Sequence, residues 1–274
     1  MSPGFSGCGL RPNGIGSRKE GNPLFGLDLS LVVLAALITL FAGFVKGAVG
    51  FAMPMIMMSA FTAFLSGQTA LALLILPTLA TNIAQAFRQG PAAARESAWK
   101  FRLHIGAVIL TLALSAQFVH SIPQRLMEGL LGAPILGFAL WQLAGRPLTL
   151  RIEHRTRIEI VLGLIGGLYG GISGIWGPPL LVLLLSLGTD KTETVRVQGV
   201  VFLIGSIALL AAHLHSGVLN AQTLPLSALM VVPAVIGNRI GLALHDRLDS
   251  QKFRRWTLIL LALTGANLLR QALA

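Results

Sequence analysis

The sequence predicts an all-α, polytopic integral membrane protein. Of its 274 residues 54% are hydrophobic and only 11% charged, with a mean hydropathy of +0.76, whereas a soluble domain carries about 25% charged residues. Apolar runs of roughly 20 residues, each long enough to cross a hydrocarbon core of about 30 Å, follow one another from Leu29 almost to the C-terminus. These runs share a rhythm, which predicts about 8–10 transmembrane segments in two inverted repeats with Gly/Pro-broken helices.

The segments fall into two sets. The first lies near 29–49, 51–66, 68–88, 102–120 and 126–144, and the second near 158–175, 177–188, 194–214, 222–245 and 253–273. In each set a long segment runs into a Gly-rich break, a short segment follows, and three ordinary spans complete the half. Shifting the first break by 124 positions lays Gly43, Gly47, Gly50 and Pro54 on Gly167, Gly171, Gly174 and Pro178. The same register carries Asn82 onto Ser206, and a drift to 127 aligns Gln124-Arg125-Leu126 with Gln251-Lys252-Phe253. Residues 27–145 and 152–274 are therefore expected to be two copies of one transmembrane unit. Residues 1–26, rich in Gly, Pro and Ser, are expected to form a disordered tail without a signal peptide.

Charge placement orients the halves. The formal net charge of +11 does not point to nucleic acid, because the basic residues lie in short loops and not in a groove with interleaved aromatics. If all ten segments cross, every Lys and Arg except Arg11, Arg18, Lys19, Arg125 and Arg270 falls on one side, which should be cytoplasmic. Five crossings per half is odd, so the second half enters from the opposite side, an arrangement that recurs in alternating-access transporters. A single cysteine, Cys8, excludes an internal disulfide framework.

The breaks have a physical meaning. Proline removes an amide donor and glycine permits non-helical backbone. Freed backbone groups in lipid cost several kcal/mol and are tolerated only beside protein or a water-filled cavity. Short helices starting near Phe51 and Trp176 would point partial positive charge at such a cavity, and the expected guest is an anion. Lys46, in the first break, either binds that anion or snorkels to the interface; its counterpart is Gly170. Small residues four apart also serve close helix packing, which by itself leaves the prolines and the short segments unexplained.

The paired motifs carry a resemblance. Phe44-Val-Lys-Gly-Ala-Val-Gly-Phe-Ala-Met-Pro54 and Gly167-Leu-Tyr-Gly-Gly-Ile-Ser-Gly-Ile-Trp-Gly-Pro-Pro179 resemble the Gly-rich motifs of the TauE/SafE family, and Ile236-Gly-Asn-Arg-Ile-Gly241 with Arg247 and Phe253-Arg254 is similar to that family's closing signature. The likeness covers about 30–273. It implies a secondary transporter that moves a small anion, such as sulfite, a sulfonate or a related organic anion, across the bacterial cytoplasmic membrane, with export by alternating access. The family pattern has consecutive glycines where this chain has Gly50-Phe51-Ala52, a bulk that admits a larger organic anion.

The expected substrate-binding residues are Lys46, Gly47, Gly50, Pro54, Asn82, Gly171, Gly174, Trp176, Pro178 and Ser206. Asn82 and Gln85 share a helical face and either line the cavity or bridge helices, as do Gln198 and Asn238. Arg239 is expected to pair with Asp246 or Asp249, and Trp176 has an alternative as an interfacial anchor. The acidic residues sit in the tail, in loops or at segment ends, which disfavours cation transport. His104, His120, His213 and His215 are expected near solvated segment ends. No metal or organic cofactor is implied; the partners are the anion, the bilayer and a coupling ion, proton or sodium. Two alternatives remain at this point: a passive anion channel, and a rhomboid-like intramembrane serine protease using Ser173 and His213.

Overall fold

The computed structural model describes residues 28–146, 153–244 and 250–273, which are helical almost throughout. The expected tail, with Cys8, and Asp246, Arg247 and Asp249 lie outside the described residues, as do the side chains of Phe253 and Arg254. Helix α1 (Leu29–Val49) ends at Gly50, which adopts φ 85° and returns its amide to the Lys46 carbonyl. There follow α2 (Met53–Phe61), α3 (Gly67–Ala86), α4 (Pro91–Lys100), α5 (Arg102–Ser115) with a 3₁₀ continuation Ala116–Ser121, and α6 (Gln124–Leu143). The order then repeats. Helix α7 (Arg155–Ser173) ends at Gly174 with φ 72°, and α8 (Gly177–Ser186), α9 (Lys191–His215), α10 (Thr223–Leu244) and α11 (Ser250–Leu273) complete the chain.

Both expected breaks are present and are built alike. A left-handed glycine closes the long helix, and prolines open the short one in its first turn, where an amide would have no helical partner anyway. With 9 and 10 residues, α2 and α8 reach about 14–15 Å at 1.5 Å per residue, half of a hydrocarbon core. Among the described residues six stretches are long and apolar enough to cross a membrane, in α1, α3, α5 with its continuation, α6, α9 and α10. Helix α4 is not foreshadowed by hydropathy, because Arg95, Glu96 and Lys100 interrupt it; Gly90-Pro91 and the alanines that follow are its start signals.

Glycines set the helix pairs and their directions. A Cβ at Gly43 would stand 2.4 Å from the Ala234 carbonyl oxygen, and one at Gly47 2.2 Å from that of Asn238. From the other helix, Gly237 and Gly241 meet the Leu40 and Phe44 oxygens at 2.0 and 2.1 Å. Helices α1 and α10 are therefore parallel and pack backbone on backbone. Helices α5 and α7 repeat this arrangement, with Gly163, Gly167 and Gly171 against the carbonyls of His104, Val108 and Leu112. The central pair is antiparallel, since Gly199 of α9 meets Ala86 of α3 while Asn82 bonds Phe202 further along. Helices α6 and α11 are also antiparallel, through Gly132 with Gly265 and Gly129 with Ala272.

These contacts send the two broken helices to opposite ends of the molecule. Gly50 lies beside Val195 and Gln198 near the start of α9, whereas the Gly171 carbonyl meets His213 near its end. The outer surface is apolar: Val33, Leu37 and Phe41 form a stripe along α1, and Val232, Ile236 and Ile240 form one along α10. Large exposed aliphatic stripes of this kind suit contact with lipid tails and not with water.

Substitution of Gly237 by alanine is expected to force α1 and α10 apart and cost about 1–3 kcal/mol, as overpacking does. Gly137→Ala, where nothing lies within 4 Å of the added carbon, should leave stability unchanged or raise it by up to about 1 kcal/mol through helix propensity. Thermal unfolding of the purified variants in detergent measures both.

Candidate functional site

Lys46 stands one turn before the glycine that ends α1, so its side chain is carried inward just where the helix stops. It is 2% exposed, and its Nζ donates to Thr81 Oγ1 at 2.9 Å and to Asn82 Oδ1. The snorkelling alternative therefore fails, because the ammonium points to α3 and not to the interface. Thr81 can accept because its own hydroxyl proton goes to the Pro77 carbonyl at 2.8 Å. Asn82 is fixed in the same way: its Nδ2 donates to the Phe202 carbonyl at 2.9 Å and to Ser206 Oγ at 3.4 Å, leaving Oδ1 for the lysine. An ammonium has three donors and two are used, so one remains. Lys100–Glu193 and Arg155–Glu159 are ion pairs of the described residues, and neither involves Lys46.

The side chain meets a cavity lined by Lys46, Phe51, Ala52, Pro54, Met55, Thr78, Asn82, Gly174, Ile175, Trp176, Gly177 and Phe202. Both breaks thus meet at one space. Neither Ala52 nor Trp176, the residues that precede α2 and α8, caps its helix through a side chain; Pro54, Pro178 and Pro179 carry no amide, which leaves Met53, Met55 and Gly177 as the first-turn donors, and Met55 and Gly177 belong to this wall. Two further polar atoms on the wall are buried without a hydrogen-bond partner among the described residues, Thr78 Oγ1 and Trp176 Nε1. The remaining wall is apolar. Trp176 is 3% exposed, stacked edge-on against Phe202 with ring centroids 6.2 Å apart and seated over Gly170 and Gly205; it is not an interfacial anchor.

Ala52 holds φ 80°, the left-handed region that a side chain disfavours by roughly 1–2 kcal/mol. It occupies a place where the consecutive glycines of the resembled motif would be unstrained. Proline in α3 is accommodated locally: Pro77 cannot donate to the Leu73 carbonyl, and Ser227 of α10 serves that carbonyl at 3.5 Å while accepting from the Leu76 amide at 3.2 Å.

Of the expected residues, Lys46, Pro54, Asn82, Gly174 and Trp176 line this cavity. Gly47 and Gly50 line a second one that also reaches Lys46. Ser206 acts through Asn82, Gly171 packs against the Leu112 carbonyl, and Pro178 lies in the first turn of α8. Thr78 and Thr81 were not foreseen. With Asn82 and Gln85 they recur at i, i+3, i+4 and i+7 of one helix face, a polar stripe legible in an otherwise apolar segment. His104 and His213 are fully buried, contrary to a solvated position; His213 Nε2 lies 2.9 Å from the Gly171 carbonyl and Nδ1 3.2 Å from Ser216 Oγ. The hydroxyl of Ser173 donates to Tyr169 O at 2.7 Å and accepts from the Ile175 amide at 3.1 Å, which leaves it turned away from the role of a nucleophile served by His213.

Asn82→Leu should strand the buried ammonium with Thr81 alone and cost about 1–3 kcal/mol, while Lys46→Met added to it should recover most of that loss, because removing both partners is milder than removing one. A double-mutant cycle of melting temperatures measures this coupling.

No curated protein matches the chain, and no solved structure does. One family model does, that of the sulfite exporter TauE/SafE, over residues 35–268. The match takes in both breaks, the lysine, the central pair α3 and α9 and most of α11, and the chain belongs to the TauE/SafE sulfite exporter family of membrane transporters.

Proposed function

We propose that this protein is a secondary carrier for a small oxyanion, a sulfite, sulfonate or related organic anion, bound in the cavity between the two breaks. The observation that carries the reading is Lys46. A buried ammonium without a carboxylate partner among the described residues, facing two uncapped helix N-termini, is a site whose charge balance is completed by an anion. Thr78 and Trp176 add neutral donors, suited to several oxygens at once.

In this reading residues 27–145 and 152–274 are two halves of inverted topology. The opposite ends reached by α1 and α7, and the antiparallel pairing of α3 with α9, support it. Movement of one half against the other about the Asn82–Ser206 contact would expose the cavity to alternate sides, with the basic end facing the cytoplasm of a bacterial cell. The half-length helices α2 and α8 favour a carrier over an open pore, because each closes over the cavity from one side.

Reconstituted in liposomes, the protein is expected to carry one member of a panel of labelled sulfite, small sulfonates and small carboxylates with saturable flux and counterflow. Lys46→Met should weaken half-saturation by about 10–100-fold, the loss of one charge-assisted hydrogen bond at 1.5–3 kcal/mol. Flux that does not saturate and follows voltage would make the protein a channel, and absence of flux for the whole panel would remove the anion assignment.

A further inference from the structure

The two breaks are alike in backbone and opposite in side chains. Around Gly50 stand Gln198 Oε1, Val195 and Gln85 Nε2, at 3.6 to 3.9 Å from where a Cβ would be. Around Gly174, the counterpart glycine, stand Leu71 and Leu74. The same register of 124 that relates the glycines relates Gln198 to Leu74, Gln85 to Leu209, Arg88 to Ala212 and Lys46 to Gly170. Across the parallel pairs, Gly47 meets the carbonyl of Asn238 where Gly171 meets that of Leu112, so Asn238 and Leu112 correspond as well. Lys46, Gln85, Arg88, Gln198 and Asn238 thus have apolar or side-chain-free counterparts, and the hydroxyls that do stand at the second break, Ser115 and Ser173, are spent on the backbone carbonyls of Gly167 and Tyr169.

The polar side contains a cavity of its own, lined by Lys46, Gly47, Gly50, Gln85, Arg88, Val195, Asn238 and Leu242. Lys46 belongs to this cavity and to the central one, and is the residue through which they adjoin. Arg88, at the outer end, is exposed. Gln85 stands between, with Nε2 donating to the Gly50 carbonyl at 3.1 Å and to the Val195 carbonyl at 3.3 Å, which ties the first break to the start of α9. On the other side Leu74, Leu112 and Leu209 are fully buried, and the nearest histidine, His213, is engaged by the Gly171 carbonyl and Ser216. Apolar constrictions of this kind exclude water and ions.

We infer that Gln85, Arg88 and Asn238 form an entry subsite for the same oxyanion, leading from the basic end to Lys46, while Leu71, Leu74 and Leu112 form a dry seal at the opposite break. The inference rests on Lys46 belonging to the anion site. It adds a second station on the path: an anion leaves water beside Arg88, passes carboxamides that can donate to it, and reaches the ammonium when Gln85 releases the Gly50 carbonyl. The carboxamides are neutral, so they lower the cost of dehydration without trapping the ion.

Thiol labelling reads this without needing transport. With Cys8 replaced by serine, Asn238→Cys and Val195→Cys on the entry side, and Leu112→Cys on the sealed side, are each exposed in sealed vesicles of both orientations to a membrane-impermeant methanethiosulfonate bearing an ethylsulfonate group. The two entry-side thiols should react from the basic face faster than from the other by on the order of tenfold or more, and Leu112→Cys should stay unreactive from both. Methanesulfonate should slow the entry-side reaction. Labelling of Leu112→Cys from its own face as fast as that of Asn238→Cys, or equal labelling of Asn238→Cys from both faces, overturns the subsite. Biased labelling in a protein that carries none of the anions would keep the subsite and end the carrier reading; symmetric labelling with intact flux would do the reverse.

Discussion

In hydrocarbon, a peptide group released from a helix must find its partner within the protein, and this constraint organises the interior. Several interruptions here are answered by a particular side chain. Ser227 of α10 serves the carbonyl that Pro77 leaves free in α3. Gln85 serves Gly50 and His213 serves Gly171 at the two breaks, while Asn82 ties α3 to the intact helix α9 through the Phe202 carbonyl. Ser227, Gln85 and Asn82 thus hold α3 between α10, α1 and α9. Beside the cavity, one donor of Lys46, the Thr78 hydroxyl and the Trp176 indole are left unspent.

The lysine adds an electrostatic demand to the backbone one. A charge in a medium that screens poorly is costly unless the surrounding dipoles are already turned toward it. Thr81 and Asn82 present oxygens because their own protons are committed elsewhere, to Pro77 and to α9. The lysine is therefore held by acceptors that carry no charge, and its field remains available to a guest. A carboxylate in place of Asn82 would neutralise the site internally.

Much of this was legible in the sequence, because the signals were covalent. Glycine and proline at fixed offsets mark the breaks whatever packs around them, and the repeated spacing checks one break against the other. Asn82 and Ser206, matched by register alone, are in contact. The rest depended on distant partners. Whether Lys46 turns inward is decided by α3, which hydropathy does not reveal, and the burial of His213 follows from the path of α7. Helix α4 escaped notice for a different reason: it is amphipathic and charged, buries only Ala94 and Ser97, and offers no apolar run to count.

The parallel pairs couple the beginning of the chain to its end. Thr39 of α1 reaches Met230 of α10 across 191 positions, and α1 gives its glycine face to no nearer helix. During synthesis α1 enters the bilayer long before that partner exists, with a stripe of bare backbone and a lysine awaiting α3. The glycine face of α1 is filled by α10 and that of α7 by α5, so the segments before residue 147 and after residue 152 cover each other's bare backbone. The protein is assembled as two strands of one braid, and a cut between residues 145 and 152 would leave pieces able to regain their shape only together.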